Sequence, residues 1–373
     1  GTPVVFIDLD RADANVAALL AGIPAPRRYR IVEKSLPSID LLRYVADKSG
    51  SRRFLVLHLP FLPALLQAIP DADVLLGKTQ LTAAVRTFWS ALAQGTDRAQ
   101  VARQVAFLVD TAAHLAELDQ LAAALGFPLR VALEIDVGLR RSGVSKPEDL
   151  GPLLMRFVGS STLRFAGLLG YDGHILSAPG GTREAVMGEW QKSTELYQTF
   201  VNVLDTGPFA SLDKTSLVMN SGGTSSYSLY QGNTPVNDVA AGGGVLRPGT
   251  YPDLFCSALK PAIWVASPVL RQYDHPQLPF FTEEQNACLF QGLQGVTVYG
   301  GGWPATYTHP RLGGMPFSSA GCEISLVPNQ GLATVPSATP VKPGDWFFYL
   351  PPQSDVLFQF EAVYQVRGGH LLQ

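Results

Sequence analysis

The sequence predicts an α/β chain: a (β/α)8 barrel of the TIM type followed by a C-terminal β domain. Two observations carry that prediction. From about residue 28 to 250, short apolar runs alternate with helical stretches, and eight such runs can be counted, the number that closes a parallel barrel. After about residue 252, prolines, glycines and aromatics become frequent and short alternating runs replace the helices, which reads as β structure. The barrel is thus drawn over 10–252. Residues 1–9 join 253–373 in the β domain, because the Val4–Phe6 run precedes a helix starting near Arg11. A doubly wound open sheet is the competing arrangement, and the count of eight disfavours it.

The barrel strands are expected at 28–34, 54–59, 73–77, 104–110, 129–138, 163–171, 216–220 and 238–246. The clearest helix is Thr111–Leu125, where Leu115, Leu118, Leu121 and Leu125 recur at helical spacing. In the β domain the runs are Ala262–Val269, Gly295–Val298, Glu323–Val327, Asp345–Leu350 and Val356–Val366. No internal repeat and no low-complexity tract interrupts them.

With 373 residues the chain can bury a sizeable core. Its 46% hydrophobic and 16% charged residues leave a lean surface, which suits a subunit interface, so a homodimer is expected. A net charge of −3 gives no basic patch for nucleic acid. No apolar run reaches the roughly 18 residues of a spanning helix, and no signal peptide precedes the first strand. Cys256, Cys288 and Cys322 have no metal-type spacing and leave one unpaired in any disulfide scheme. A reduced, cytoplasmic protein without membrane or nucleic-acid partners is the expectation.

Function in such a barrel gathers at the C-terminal strand ends. Lys34 closes the first barrel run and is followed by Ser35, Leu36 and Pro37, which cannot extend a regular ladder. A lysine there suits Schiff-base chemistry, since partial burial among apolar neighbours promotes loss of its proton. Lys78, after the 73–77 run, is its rival, and an ordinary rim lysine is the plain alternative for either. His58, inside an apolar run, reads as a satisfied core residue. In the 129–138 run, alternation turns Val131, Leu133, Ile135 and Val137 towards the helices. Ala132, Glu134, Asp136 and Gly138 then face the barrel interior, where Arg30 and Glu134 are expected to pair. Arg140, Arg141 and Gly143 follow just past that strand.

The 163–171 run ends in Gly170-Tyr171-Asp172-Gly173-His174. A histidine framed by glycine beside a tyrosine suits proton handling or ring stacking. The next run ends in Asn220-Ser221-Gly222-Gly223-Thr224-Ser225-Ser226, and the last adds Ala241-Gly242-Gly243-Gly244. Backbone N–H groups free of side-chain bulk, with hydroxyls beside them, make a phosphate cradle. Two glycine turns at adjacent strand ends, opposite a lysine, point to pyridoxal phosphate as cofactor.

These residues resemble a known family, the fold-type III pyridoxal-phosphate enzymes with an alanine-racemase-like barrel (the alanine racemase N-terminal domain). The D-threonine aldolase and D-serine dehydratase branch is the most similar, and the resemblance covers nearly the whole chain. It places the family's lysine on Lys34 rather than Lys78. It also implies that Arg141, in Asp136-Val-Gly-Leu-Arg-Arg141-Ser-Gly143, approaches the pyridine nitrogen. Tyr171 and His174 match the family's Tyr-x-Gly-His element, with the tyrosine near the cofactor. Ser221, Gly222, Gly223 and Thr224 match its phosphate segment, Ala241–Gly243 its last glycine turn, and Tyr251 the tyrosine after it.

Departures accompany these matches. The branch's metal is held by a histidine and, two residues on, an aspartate or cysteine. Here Gln353 and Asp355 stand at those positions, and a carboxamide is a poor ligand. Ser319-Ala-Gly-Cys-Glu323 and Pro328-Asn-Gln330-Gly331 likewise depart from the family's elements. No metal is expected, and Asp355 alone is retained as a candidate ligand. The expected activity is that of a lyase on a D-β-hydroxy amino acid, by aldol cleavage or dehydration. Lys34 serves as base and His174 or Tyr171 acts on the hydroxyl, with Tyr307 and His309 as further candidates. The alternatives are a metal-independent amino-acid racemase and a non-catalytic cofactor-binding protein; a full β domain disfavours the latter.

Overall fold

A computed structural model of the chain describes residues 1–249, 251, 253–300, 305–309 and 330–372; of 306–309 and Leu332 it describes the backbone alone. After β1 (Val4–Asp8), eight strands close a parallel barrel. They are β2 (Arg28–Val32), β3 (Arg53–Val56), β4 (Asp73–Leu76), β5 (Val105–Val109), β6 (Leu129–Glu134), β7 (Leu163–Leu169), β8 (Val218–Ser221) and β9 (Asp238–Ala241). Each pairs with the next, and β9 returns to β2 with Arg30 opposite Ala240. Several runs end earlier than their apolar character suggests. The first stops at Val32 and turns into a short 3-10 segment, Glu33–Ser35. The last stops at Ala241 and passes into a helical turn, Gly243–Leu246.

The helix expected over Thr111–Leu125 spans Ala112–Leu125, and Thr111 caps it by accepting from His114 N–H at 3.3 Å. Inside the barrel, Leu75, Ala106, Leu108, Ala132, Ala166, Leu169 and Val218 pack into one cluster. Ala132 therefore faces inward, as alternation requires. Outside, Trp89 packs against Phe107 and Phe127.

Arg30 does not pair with Glu134. Its guanidinium is fully buried and donates to both Asp238 oxygens (2.6 and 3.0 Å), to Asp73 Oδ2 (2.9 Å), and to the Phe54 and Asp73 carbonyls. The level along the strand decides the partner. Asp73 and Asp238 open their strands near Arg30, whereas Glu134 closes its own strand and accepts from Ser142 Oγ at 2.7 Å.

The chain divides into two compact units, 15–245 with 251–259, and 1–14 with 246–250 and 260–373. The sequence drew these boundaries at 10 and 252. The second unit holds β1, β10 (Ile263–Tyr273), β11 (Leu293–Tyr299), β12 (Thr306–His309), β13 (Gln330–Pro336), β14 (Trp346–Leu350), β15 (Val363–Arg367) and β16 (His370–Leu371). They form one sheet in the order β12-β14-β10-β1-β15-β16, with β11 bridging β10 and β13. Val269, Val296, Val298, Ala333, Val335 and Phe347 make its core. The run expected over Val356–Val366 is split: Ser354–Gln359 is 3-10 and only Val363–Arg367 is strand. Glu323–Val327 lies outside the described residues. Among the described residues no helix is long and apolar enough to cross a membrane.

Candidate active site

At the C-terminal ends of the barrel strands a pocket opens, and most of the sequence candidates meet there. It is lined by Lys34 and Ser35 after β2, Leu55 and Leu57 from the β3 end, Gly77 after β4, and Arg141 and Tyr171 after β6 and β7. Ser221–Thr224, Ala241–Gly243 and Tyr251 complete the wall. Lys78 is exposed and is not among the lining residues. Lys34 reaches the pocket from the 3-10 turn, not from a strand position. It is exposed at the mouth, so the expected partial burial is not met.

The turn that carries Lys34 is anchored by its neighbour. Glu33 is fully buried and accepts from Leu57 N–H (3.1 Å) and His58 N–H (3.2 Å), and its other oxygen lies 2.9 Å from His58 Nδ1. His58 thus stands beyond β3, partly exposed, as the partner of a carboxylate rather than as a core residue.

Arg141 sits on a loop that braces itself. Asp136 lies just past the end of β6, and its Oδ1 accepts from Gly138 N–H (2.9 Å) and Arg140 N–H (3.0 Å). Asp110 accepts from Gly143 N–H at 3.1 Å, and Ile135 bridges Val144. The Arg141 guanidinium lies 5.4 Å from the centre of the Tyr171 ring, within cation–π range. Desolvation and the nearby Asp172 push the Tyr171 phenol up, with Arg141 opposing, so the phenol is a neutral donor at ordinary pH.

The glycine turns form a cradle. Gly222 has φ +89, which favours glycine, and a Cβ there would lie 2.8 Å from Val239 Cγ1. Gly243 has the Tyr251 hydroxyl 2.1 Å from where a Cβ would be, so only glycine admits that ring. The amides of Gly222, Thr224 and Gly243 have no acceptor among the described residues. Thr224 Oγ1 accepts from Gly244 N–H at 2.8 Å, which leaves its own hydrogen to donate. The Gly223 amide, expected to be open, is instead given to Ser226 Oγ at 3.0 Å. An anion beside Lys34 fits this donor set, and a phosphate fits it well.

His174 does not line the pocket. Its Nε2 lies 3.3 Å from Ser193 Oγ and its ring packs against Gly138. Its Nδ1 is buried without a partner. Asp355 is exposed in the 3-10 segment of the other unit, with Gln353 preceding it. Among the described residues no group of three His, Cys, Asp or Glu side chains could hold a metal ion. Ser319–Glu323 and Pro328–Asn329 lie outside the described residues, as do Cys322 and the side chains of Tyr307 and His309. Sequence reasoning missed Ser35, Asn220, Glu33, Asp172 and Tyr230. Only Glu33 carried a signal, as a carboxyl inside an apolar run.

Residues 7–229 match the family model for the alanine racemase N-terminal domain. Among solved structures, D-threonine aldolase from Filomicrobium marinum superposes with a TM-score of 0.74 at 17% identity, over 100% of this chain and 96% of that one. D-threo-3-hydroxyaspartate dehydratase from Delftia sp. HT23 gives 0.73 at 18% identity, again over 100% and 96%. Alanine racemase from Clostridium difficile 630 in complex with cycloserine gives 0.72 at 14% identity, over 100% and 98%. No curated protein sequence matches the chain.

Proposed function

Because the chain belongs to the alanine racemase N-terminal-domain family of fold-type III pyridoxal-phosphate enzymes, we propose that it is a lyase acting on a D-β-hydroxy amino acid. The observation that carries this reading is the meeting of Lys34, Arg141 and the two glycine turns in one pocket. The amides of Gly222, Thr224 and Gly243 with the Thr224 hydroxyl would hold the phosphate, each contact being charge-assisted. Bound there, pyridoxal phosphate supplies a carbonyl for the substrate amine and a ring that accepts the electrons of the broken Cα bond.

The remaining work falls to this chain's side chains. The Lys34 amine, at the pocket mouth, is the base that moves the proton on one face. Arg141, always charged, would keep a ring nitrogen held against it unprotonated, because two positive groups in contact repel. Tyr171, a neutral phenol held beside Arg141, would donate to a hydroxyl leaving as water in dehydration, whereas in aldol cleavage the hydroxyl must lose its proton and the Lys34 amine would be the base that takes it. His174 is withdrawn from that role by its position behind the lining.

Gln353 favours a second reading. A histidine replaced by a carboxamide weakens metal assistance, and racemisation needs two opposed bases and no metal. Incubation with D-threonine, D-serine, D-threo-3-hydroxyaspartate and L-alanine separates the two. Aldehyde or keto acid supports the lyase, and the enantiomer alone supports the racemase. Turnover of none would overturn both. Borohydride reduction in the presence of pyridoxal phosphate should label Lys34; label on Lys78 would sink the site. The lean charged surface supports a homodimer, which light scattering tests.

A further inference from the structure

Behind the Ser221–Gly223 turn, a buried file of oxygens runs from Asp172 to the Gly170 carbonyl. The Tyr230 hydroxyl lies 2.8 Å from Asp172 Oδ2 and 2.7 Å from Ser221 Oγ. Ser221 Oγ in turn lies 2.5 Å from the Gly170 carbonyl oxygen. Asp172, Ser221 and Tyr230 are all buried, at 2–3% exposure. Three contacts at these distances need three hydrogens. Tyr230 and Ser221 bring one each, and the carbonyl brings none. We propose that Asp172 is a carboxylic acid donating its proton to Tyr230, and that this chain of hydrogen bonds makes Asp172 a positioning residue for the Gly222 turn of the cradle.

The ionised alternative fails on geometry. With Tyr230 donating to a carboxylate, Ser221 can serve only one of its two contacts. Two oxygens would then face each other at 2.5 or 2.7 Å with no hydrogen between them. Asp172 Oδ1 is also buried without a partner, which costs a carboxylate more than it costs a neutral acid. Burial pushes this carboxyl up, against the pull of the Tyr230 hydroxyl.

The link to the cradle is steric as well as polar. Tyr230 Cε2 lies 3.3 Å from where a Gly222 Cβ would be, so the ring underlies that turn. Trp190 holds the ring edge-on at 5.6 Å. The titratable and charged groups facing Asp172 are Tyr171, Tyr230 and His174, with Arg141 beyond Tyr171 and Glu189 beyond His174.

The test has two arms, and only the second rests on the pyridoxal-phosphate reading. In the first, urea unfolding of the cofactor-free protein is compared with that of Asp172→Asn across about pH 5 to 8. A folded acid held neutral contributes stability that is complete below its unfolded value, near 4, and is lost as pH rises through the folded one. The variant should therefore gain on the parent as pH rises. The infrared difference between the two at neutral pH should contain the carbonyl band of a protonated acid. A parent that gains on the variant with rising pH, or a missing band, overturns the protonation state.

In the second arm, pyridoxal phosphate is titrated into parent and variants. Tyr230→Phe and Asp172→Ala should each raise the dissociation constant about tenfold, the milder Ser221→Ala about threefold, and Asp172→Asn should recover most of the Asp172→Ala loss. Unchanged binding in folded Tyr230→Phe and Ser221→Ala overturns the positioning role. A parent that binds no pyridoxal phosphate sinks the cofactor reading and the positioning role together, while the first arm still decides the proton.

Discussion

Glu33 Oε1 lies 2.9 Å from His58 Nδ1, and this contact ties the turn bearing Lys34 to the end of the neighbouring strand. The same carboxyl accepts the Leu57 and His58 amides, so it joins two strand ends that no backbone ladder connects at that level. The residue before Lys34 is therefore a buried anchor. Lys34 itself is left exposed at the pocket mouth, free to reach inward.

Glu33→Gln tests the anchor. Glutamine keeps the shape and can still accept both amides, but it replaces the charged contacts to the Leu57 and His58 amides and to His58 Nδ1 with neutral ones. A hydrogen bond to a charged group contributes about 1.5–3 kcal/mol, and a loss in that range is expected by chemical denaturation. Borohydride labelling of Lys34 with pyridoxal phosphate should also slow several-fold relative to parent. A variant of parental stability and labelling rate would show that the contact anchors nothing.

Asp73 gives the fold a pH dependence whose sign is fixed. Burial alone would raise its carboxyl, but Arg30 and Arg130 outweigh burial and hold it below the usual carboxylate range. A folded value below the unfolded one means stability that is present above about pH 4 and lost as pH falls through the folded value. Asp73→Asn should therefore be destabilised at neutral pH, by about 3 kcal/mol if the buried Arg30 charge is left short of a partner. The gap should close on acidification. A gap that widens as pH falls would contradict the assignment.

Gly222→Ala probes the cradle without removing a polar group. At φ +89 an alanine is strained by about 1–2 kcal/mol, and its Cβ would press on Val239. Pyridoxal phosphate should bind about tenfold more weakly, while Gly232→Ala, at φ +66 but with open space around it, should lose stability through backbone strain and leave affinity unchanged. Equal affinity in both variants would place the phosphate elsewhere.

The barrel, its strand count and its glycine turns were legible because each depends on local pattern: apolar runs, helical spacing, and Gly where a turn needs positive φ. What local pattern cannot carry is level. Arg30 and Glu134 share an inward face, yet Arg30 sits in the middle of its strand and Glu134 at the C-terminal end of its own, and the true partners Asp73 and Asp238 appear in sequence as unremarked first residues. His174 shows the same limit. Its glycine frame marked a strand end correctly but could not tell a pocket-facing ring from one packed behind the wall on Gly138 and Ser193. Tyr230 lies in an aperiodic stretch, and only the folded turn brings its hydroxyl to Ser221.

The resemblance places a histidine ligand at position 353, where this chain has glutamine, and both Gln353 and Asp355 are exposed. Zinc favours imidazole and thiolate, and a carboxamide beside one carboxylate offers neither. Elemental analysis of the purified protein should find no stoichiometric zinc or manganese, and a chelator should leave turnover unchanged. Asp355→Ala should cost far less activity than Lys34→Ala. Gln353→His is the converse test: if position 353 is where a ligand is missing, the variant should bind added zinc more tightly than the parent by at least an order of magnitude. Chelator-sensitive turnover in the parent, with metal at one equivalent, would overturn this and favour metal-assisted cleavage of the β-hydroxy substrate.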